Sequence, residues 1–286
     1  MQLVTPSAAE PLSASSASAS VNLLWTGGWD STFRLLDLVV LKGRAVTPYY
    51  IVDPDRPGTL HELHAMRTIR KRVRQRFPGT AGLIGPTRLT LLDSIAADAE
   101  LTQKFERLKS RAYLGSQYDW LARHVRQEGI RELELCIHAD DRAEAFVRDH
   151  VEHVVGAEGD GYWRIRREVE ADDIGLFASF RFPILDLTKT EMRRRAQAAG
   201  LGGLMSLTWF CHTPIDGRPC GVCNPCRYTI EEGLADRLPG RALLRHRFGK
   251  QMRLTGKISG VFYKTLARIA KPLIQRERKR HGVALP

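Results

Sequence analysis

Four thiols, Cys211, Cys220, Cys223 and Cys226, fall within CHTPIDGRPCGVCNPC, the last three at Cys-x-x-Cys spacing. That spacing lets one tight loop turn its sulfurs toward a single point while the fourth arrives from a preceding turn, the geometry of a tetrahedral metal site. Zn2+ held by four thiolates satisfies it best, and Pro214, Gly217, Pro219, Gly221 and Pro225 supply the turns. With no open coordination position such a zinc is expected to be structural. An iron–sulfur cluster is the rival occupant. A disulfide pair fits less well, because nothing else in the chain has a secreted character. His212 reads as a loop histidine, since its adjacency to Cys211 makes joint ligation awkward. The fifth cysteine, Cys136 in LELCI, reads as a buried strand residue.

A second constellation lies near the other end. In VNLLWTGGWDSTFRLLDLVV an apolar strand from Val21 to Trp25 breaks at Thr26, Gly27 and Gly28, then resumes as a helix. Strand, glycine turn and helix start together make an anion site: the glycines let backbone approach a phosphate, and the first N–H groups of the helix point at it. Thr26, Ser31 and Thr32 add hydroxyls. Asp30 would repel a phosphate unless a cation lay between them, so it suggests either a bridging Mg2+ or a helix cap. The pattern is neither GxxxxGK[ST] nor GxGxxG. Further on, Thr188-Lys189-Thr190-Glu191 is a capping box, with Thr188 as N-cap and Glu191 reaching back. Lys189, read as exposed in that first turn, works against the helix dipole, so it is either solvated or aimed at a bound anion.

The elements that must position these groups alternate. AVTPYYIVD predicts a strand ending at Asp53, followed by a basic helix from about Leu60 to Arg76. RLTLLD predicts a strand, QYDWLARHVRQEG a helix with Trp120, Leu121 and Val125 inward, and RELELCIHADD a strand ending at His138. This order implies an α/β fold with a doubly wound parallel sheet, whose ligands bind beyond the C-terminal strand ends. TGGWDS, VDPDRPG and HADDR are then expected to converge on one crevice.

A chain of 286 residues, 43% of them hydrophobic, can bury one large core or one core with a satellite. No apolar run approaches a membrane span and no signal peptide opens the chain, so a cytoplasmic protein without a transmembrane segment is expected. The expected organisation is a disordered Ser/Ala-rich leader over 1–20, an α/β domain carrying the anion site over 21–200, a zinc-binding subdomain over 201–236 and a basic helical tail over 237–286. The tail carries fourteen Lys/Arg against one acid, Glu277, and so holds the whole +12 excess. Its apolar residues recur at helical steps from Ile258 to Leu273, an amphipathic helix that either docks on its own domain or contacts RNA or another anionic partner.

TGGWDS resembles the SGGxDS loop of the PP-loop ATP pyrophosphatases, with Thr26 in the serine position. SLTWFCHTPIDGRPCGVCNPCR resembles the zinc loop of 7-cyano-7-deazaguanine synthases, including its Thr-Trp-x-Cys lead-in, and PILDLTKTEMRRRAQAAGL is similar to the segment that precedes it in that family. The resemblance implies a PP-loop (HUP-like) fold and an ATP-dependent ligase that adenylylates a carboxylate, releases pyrophosphate and passes the acyl group to ammonia, en route to an amide or nitrile. Under it, Thr26, Gly27, Gly28, Asp30, Ser31 and Thr32 would hold ATP and Mg2+. Asp30, Ser31 and Lys189 would serve catalysis, and His138, Asp140 and Arg142 would contact the carboxylate substrate. The Zn2+ would brace a lid over the crevice, and a homodimer is left open. The chain departs from the family at Asp53-Pro54-Asp55-Arg56-Pro57-Gly58, where an aromatic-Gly-Gln-x-His stretch is usual. It departs again at Leu114-Gly115-Ser116-Gln117, where Pro-Gly-Arg-Asn is usual. The carboxylate acted on therefore stays open. The other readings are a PP-loop tRNA-modifying enzyme of the thiolation type and a nucleotide-binding regulatory protein without turnover.

Overall fold

Apolar Val21–Leu24 extends as β1, and Val46–Val52, rich in β-branched and aromatic residues, pairs beside it in parallel as β2. Alternate residues of β2 point to opposite faces, and both faces are covered. Tyr49 and Ile51 belong to the core cluster that includes Phe105, Leu108, Leu121 and Val125, whereas the Tyr50 hydroxyl donates to Glu62 on the other side. The computed structural model describes residues 20–156, 159–168 and 171–254. The leader expected over 1–20 (Ser20 excepted) and the amphipathic stretch from Ile258 to Leu273 lie outside them.

The remaining strands are β3 (Arg88–Leu91), β4 (Leu133–Glu134), β5 (Val151–Val155), β6 (Gly161–Ile165) and β7 (Phe180–Phe182). They complete a seven-stranded sheet in the order β3-β2-β1-β4-β7-β6-β5. The first five in that order run parallel, and β5 and β6 form an antiparallel hairpin added at the β7 edge. The helices are α1 (Trp29–Leu36, continued by a π-helical turn, Asp37–Leu41), α2 (Thr59–Arg76), α3 (Ala99–Arg111), α4 (Gln117–Gln127) and α5 (Glu144–Val147). They are followed by α6 (Lys189–Ala198), α7 (Gly202–Met205), α8 (Asn224–Glu231) and α9 (Gly240–Leu254). The expected α/β architecture with a mostly parallel sheet is thus present, followed by a four-cysteine segment and a helix.

The chain leaves β1 outward through β2 to β3, then returns to lay β4 on the other side of β1. This reversal makes the C-terminal ends of β1 and β4 a topological switch point, the place where ligands of open α/β sheets bind.

Several local expectations need correction. The strand expected to reach His138 stops at Glu134, because the Ile137 N–H turns back to the Leu135 carbonyl instead of joining a ladder. Cys136 accordingly lies past the strand and is half-buried. Trp120, expected inward, is half-buried and does pack against the core, beside the buried Leu121 and Val125. The elements that had no expectation include α3, whose N-cap Asp98 accepts from the Leu101 N–H, and the β5–β6 hairpin.

By contacts the chain divides into two compact units, Met1–Phe210 and Cys211–Pro286. Leu201 continues the bonding of α6 onto the Ala196 carbonyl, and α7 packs on α1, α2 and α6, which ties residues 201–210 to the first unit. Among the described residues no helix is long and apolar enough to cross a membrane.

Candidate functional site: the loop after the first strand and the four-cysteine cluster

The TGGWDS turn is shaped by close approach. Gly27 has φ +68°, and a Cβ there would lie 2.9 Å from the Glu62 carbonyl oxygen of α2, so both conformation and space require glycine. The Gly27 carbonyl accepts from the Trp209 N–H at 2.9 Å, and the Trp209 indole stacks on His61 with centroids 4.4 Å apart. Gly28 then precedes α1 in extended conformation as its N-cap, without a side-chain cap bond. The first intrahelical bond runs from the Thr32 N–H to the Gly28 carbonyl, so helix geometry leaves the preceding N–H groups without an intrahelical acceptor.

The hydroxyls serve different ends. The Thr26 N–H donates to Ser31 Oγ at 3.3 Å, and the two side-chain oxygens lie 3.4 Å apart at the mouth of the turn. Thr32 is wholly buried, its oxygen accepting from the Trp25 indole at 3.0 Å, so it stabilises the turn from inside the core.

Asp30 is the centre of a charged group drawn from three separate segments. Its Oδ2 lies 3.6 Å from Lys189 Nζ, and its Oδ1 lies 4.0 Å from His138 Nε2. Oδ1 is buried and has no hydrogen-bond partner among the described residues. Lys189 is not the exposed cation expected from its place in the first turn of α6; its side chain is 13% exposed and directed at Asp30. Thr188 caps that helix as expected, accepting from the Glu191 N–H at 3.1 Å, while Glu191 pairs with Arg194 and Arg195.

Of the three residues singled out in the loop after β4, His138 faces inward, whereas Asp140 and Arg142 are exposed. His138 is buried, and its Nδ1 accepts from the Asp140 N–H at 3.2 Å. A neutral imidazole so held carries its proton on Nε2, facing Asp30. Asp140 is exposed and contributes its backbone, and Arg142 is exposed over the Tyr113 ring. The inward acid is Asp141, whose Oδ1 accepts from the Ala143 N–H at 2.8 Å. Burial pushes the Asp141 carboxyl up, opposed first by His138. Tyr118 of α4 is buried beside it, and burial, then the Asp141 charge, hold its phenol well above the usual range. Sequence reasoning missed Tyr118, and nothing local to QYDW marks it; Asp141 was within reach, since a loop reading DD offers two candidates.

Among the described residues, no hydrogen bond or ion pair ties the expected third loop to this group. The Thr59 hydroxyl donates to the Asp53 carbonyl, and Arg56 pairs with Glu62, which also accepts from Tyr50.

In the second unit Cys211, Cys220, Cys223 and Cys226 bring their sulfurs within 4.8 Å of one another. Cys220 and Cys226 Sγ are 3.8 Å apart, and Cys223 and Cys211 Sγ 3.9 Å. With metal–sulfur bonds of ~2.3 Å, a tetrahedral zinc requires S···S edges of about 3.8 Å, and a disulfide requires ~2.05 Å, so the donor set fits an ion and not a bridge. Cys220 accepts from the Val222 and Cys223 N–H groups and the Thr213 hydroxyl, and Cys211 accepts from the Cys220 N–H. Hydrogen bonds among the four adjacent sulfurs pull the Cys220 and Cys223 thiols down and push Cys211 and Cys226 up, so without an ion the cluster holds its protons unevenly.

The surrounding chain explains the geometry. Asp216 (φ 49°) and Gly217 (φ 68°) turn the Ile215–Arg218 bridge, a two-residue hairpin turn with both φ positive. Gly221 (φ +82°) directs the next N–H groups onto Cys220, and a Cβ there would lie 2.1 Å from the Ala242 carbonyl oxygen of α9. Arg245 of α9 donates to the Cys220 carbonyl at 2.7 Å, so part of the basic tail braces the cysteine loop.

No protein-family model matches the chain, and no curated protein matches it either.

Proposed function

We propose that the protein is an ATP-dependent adenylylating ligase of the PP-loop type, similar to 7-cyano-7-deazaguanine synthase but with its own carboxylate substrate. The observation that carries this reading is the Asp30 carboxylate at the β1/β4 switch point, with one buried oxygen lacking a hydrogen-bond partner among the described residues. A buried, unsatisfied carboxylate oxygen costs about 1–3 kcal/mol, more when charged, and is kept where a ligand or ion completes it. Mg2+ bound there would neutralise phosphate charge. The glycine turn and the α1 N-terminus suit a polyphosphate, and Lys189 lies within reach of both the carboxylate and such an anion.

In this reading ATP is a substrate. The carboxylate attacks the α-phosphorus and expels pyrophosphate, and ammonia then displaces AMP from the acyl group. The protein's part is orientation and charge stabilisation. Thr26, Gly27, Gly28 and Ser31 cradle the pyrophosphate, and His138 and Asp141 face the incoming substrate. Zn2+ is the ion we assign to the four thiolates, in a structural role.

Incubation with ATP, ammonium and a panel of carboxylic acids, followed by mass spectrometry, tests the reading. AMP with an amide or nitrile product supports it, and ADP as the sole nucleotide product would eliminate it.

A further inference from the structure

Helix α2 carries a row of cations that neither the nucleotide site nor the cysteine cluster uses. Its buried residues include Ala65, Met66, Ile69 and Val73, which dock it on the sheet, while Arg67, Lys71, Arg72, Arg74 and Arg76 are exposed. None of these five has a carboxylate partner among the described residues; Arg72 makes only a long contact to Gln75 at 3.4 Å, and Arg76 lies over Phe77. Such a density of like charge without carboxylate partners repels itself and attracts an anion.

The cations are ordered by the helix. His64, Arg67, Thr68, Lys71, Arg72 and Gln75 recur at three- and four-residue steps and line one groove of about 320 Å³. Arg72 and Gln75 are shared with an adjoining groove of about 480 Å³ that Arg76 also borders. From His64 to Arg76 the stripe runs about 18 Å at 1.5 Å per residue, long enough for several successive phosphates.

We infer that this face of α2 docks the phosphodiester backbone of base-paired RNA. Three features choose among polyanions. The apolar side of α2 is buried in the fold, so the helix has nothing to insert into a membrane. No exposed aromatic lies in the groove, so the stacking platform of a single-strand binder is missing. The polar side chains of His64, Thr68 and Gln75 interleave the cations and suit the 2′-hydroxyls that line the shallow groove of an RNA duplex, which is recognised by shape and backbone. The inference is independent of the nucleotide site.

The test is fluorescence anisotropy of a labelled RNA hairpin with the full chain over a series of salt concentrations. It compares the wild type with Arg67→Gln/Lys71→Gln/Arg72→Gln/Arg74→Gln and with the charge-keeping Arg67→Lys/Arg72→Lys/Arg74→Lys. The tail is present in all three, so its contribution cancels. The Gln variant should bind at least ~10-fold more weakly, with the slope of log K against log salt shallower by about 3.6, about 0.9 for each of the four lost phosphate contacts. The Lys variant should keep the wild-type slope. Should the Gln variant lose its helical circular dichroism, Lys71→Gln alone should still reduce the slope by about 1. Unchanged affinity and slope in the Gln variant would overturn the inference. So would DNA of the same sequence binding as tightly as RNA, or an effect seen only with phosphatidylserine vesicles.

Discussion

At the scale of single residues, the two candidate sites differ in how they are held. The sulfurs of Cys211, Cys220, Cys223 and Cys226 converge through local backbone turns and N–H···S bonds. Removing one thiolate therefore removes metal affinity and the folding energy coupled to it. Cys223→Ser should lose the bound metal, seen by elemental analysis, and lower the melting temperature; full metal occupancy with unchanged melting would contradict the assignment. Asp30, in contrast, is placed by long-range contacts with His138 and Lys189. The cysteine cluster was legible because its whole geometry lies in sixteen consecutive residues. The carboxylate group was legible only in part. TGGWDS and Lys189 stand out as local motifs, but the choice of Asp141 over Asp140 depends on which way a loop turns after β4 breaks off, and no local pattern encodes that.

At the scale of elements, glycine marks where segments touch. Gly221 combines a positive φ with backbone contact to α9, whereas Gly203, in α7, meets nothing within 4 Å. Gly221→Ala should lower stability by more than ~2 kcal/mol in urea unfolding, from backbone strain and the displaced helix, and Gly203→Ala should leave it unchanged or slightly raised. Equal effects at the two positions would show that the close approach to Ala242 is not constraining. The strands β1 and β2 and the helices α2 and α4 follow from periodicity, since their apolar residues face the core at regular steps. The β5–β6 hairpin did not: VEHVV and GYWRI carry charged and polar residues among half-buried positions, and β6 pairs antiparallel with both β5 and β7 in a sheet whose other pairings are parallel.

At the scale of the whole molecule, a buried ionic knot secures the first unit from within. Arg34, 2% exposed, grips Glu134 bidentately at 2.7 and 2.8 Å and also pairs with Asp37 and Asp160, joining α1, β4 and the start of β6. Burial alone would lower the Arg34 pKa, but the Glu134 carboxylate, by hydrogen bond and charge, raises it. Arg34→Met strands the Glu134 charge and should cost about 3–5 kcal/mol, while Arg34→Met/Glu134→Leu together should cost less. The knot also sets a pH dependence. Burial would raise the Asp160 pKa, yet hydrogen bonds from Arg34 and Lys42 bring it below the ordinary carboxylate value. A depressed acid contributes stability above its unfolded pKa of ~3.9 and loses it as pH falls through the lower folded value. Asp160→Asn should therefore flatten the acid limb of the stability curve below about pH 4.

The nucleotide reading depends on the Asp30 carboxylate and can be tested there directly. Pyrophosphate release should be measured with ATP, ammonium and the productive acid, for wild type and for Asp30→Ala. The account predicts that Asp30→Ala releases no pyrophosphate while keeping its far-UV circular dichroism and bound metal, because its buried Oδ1 makes no hydrogen bond on which the turn depends and it lies outside the unit that holds the four-cysteine cluster. Turnover in that variant at the wild-type rate would contradict it.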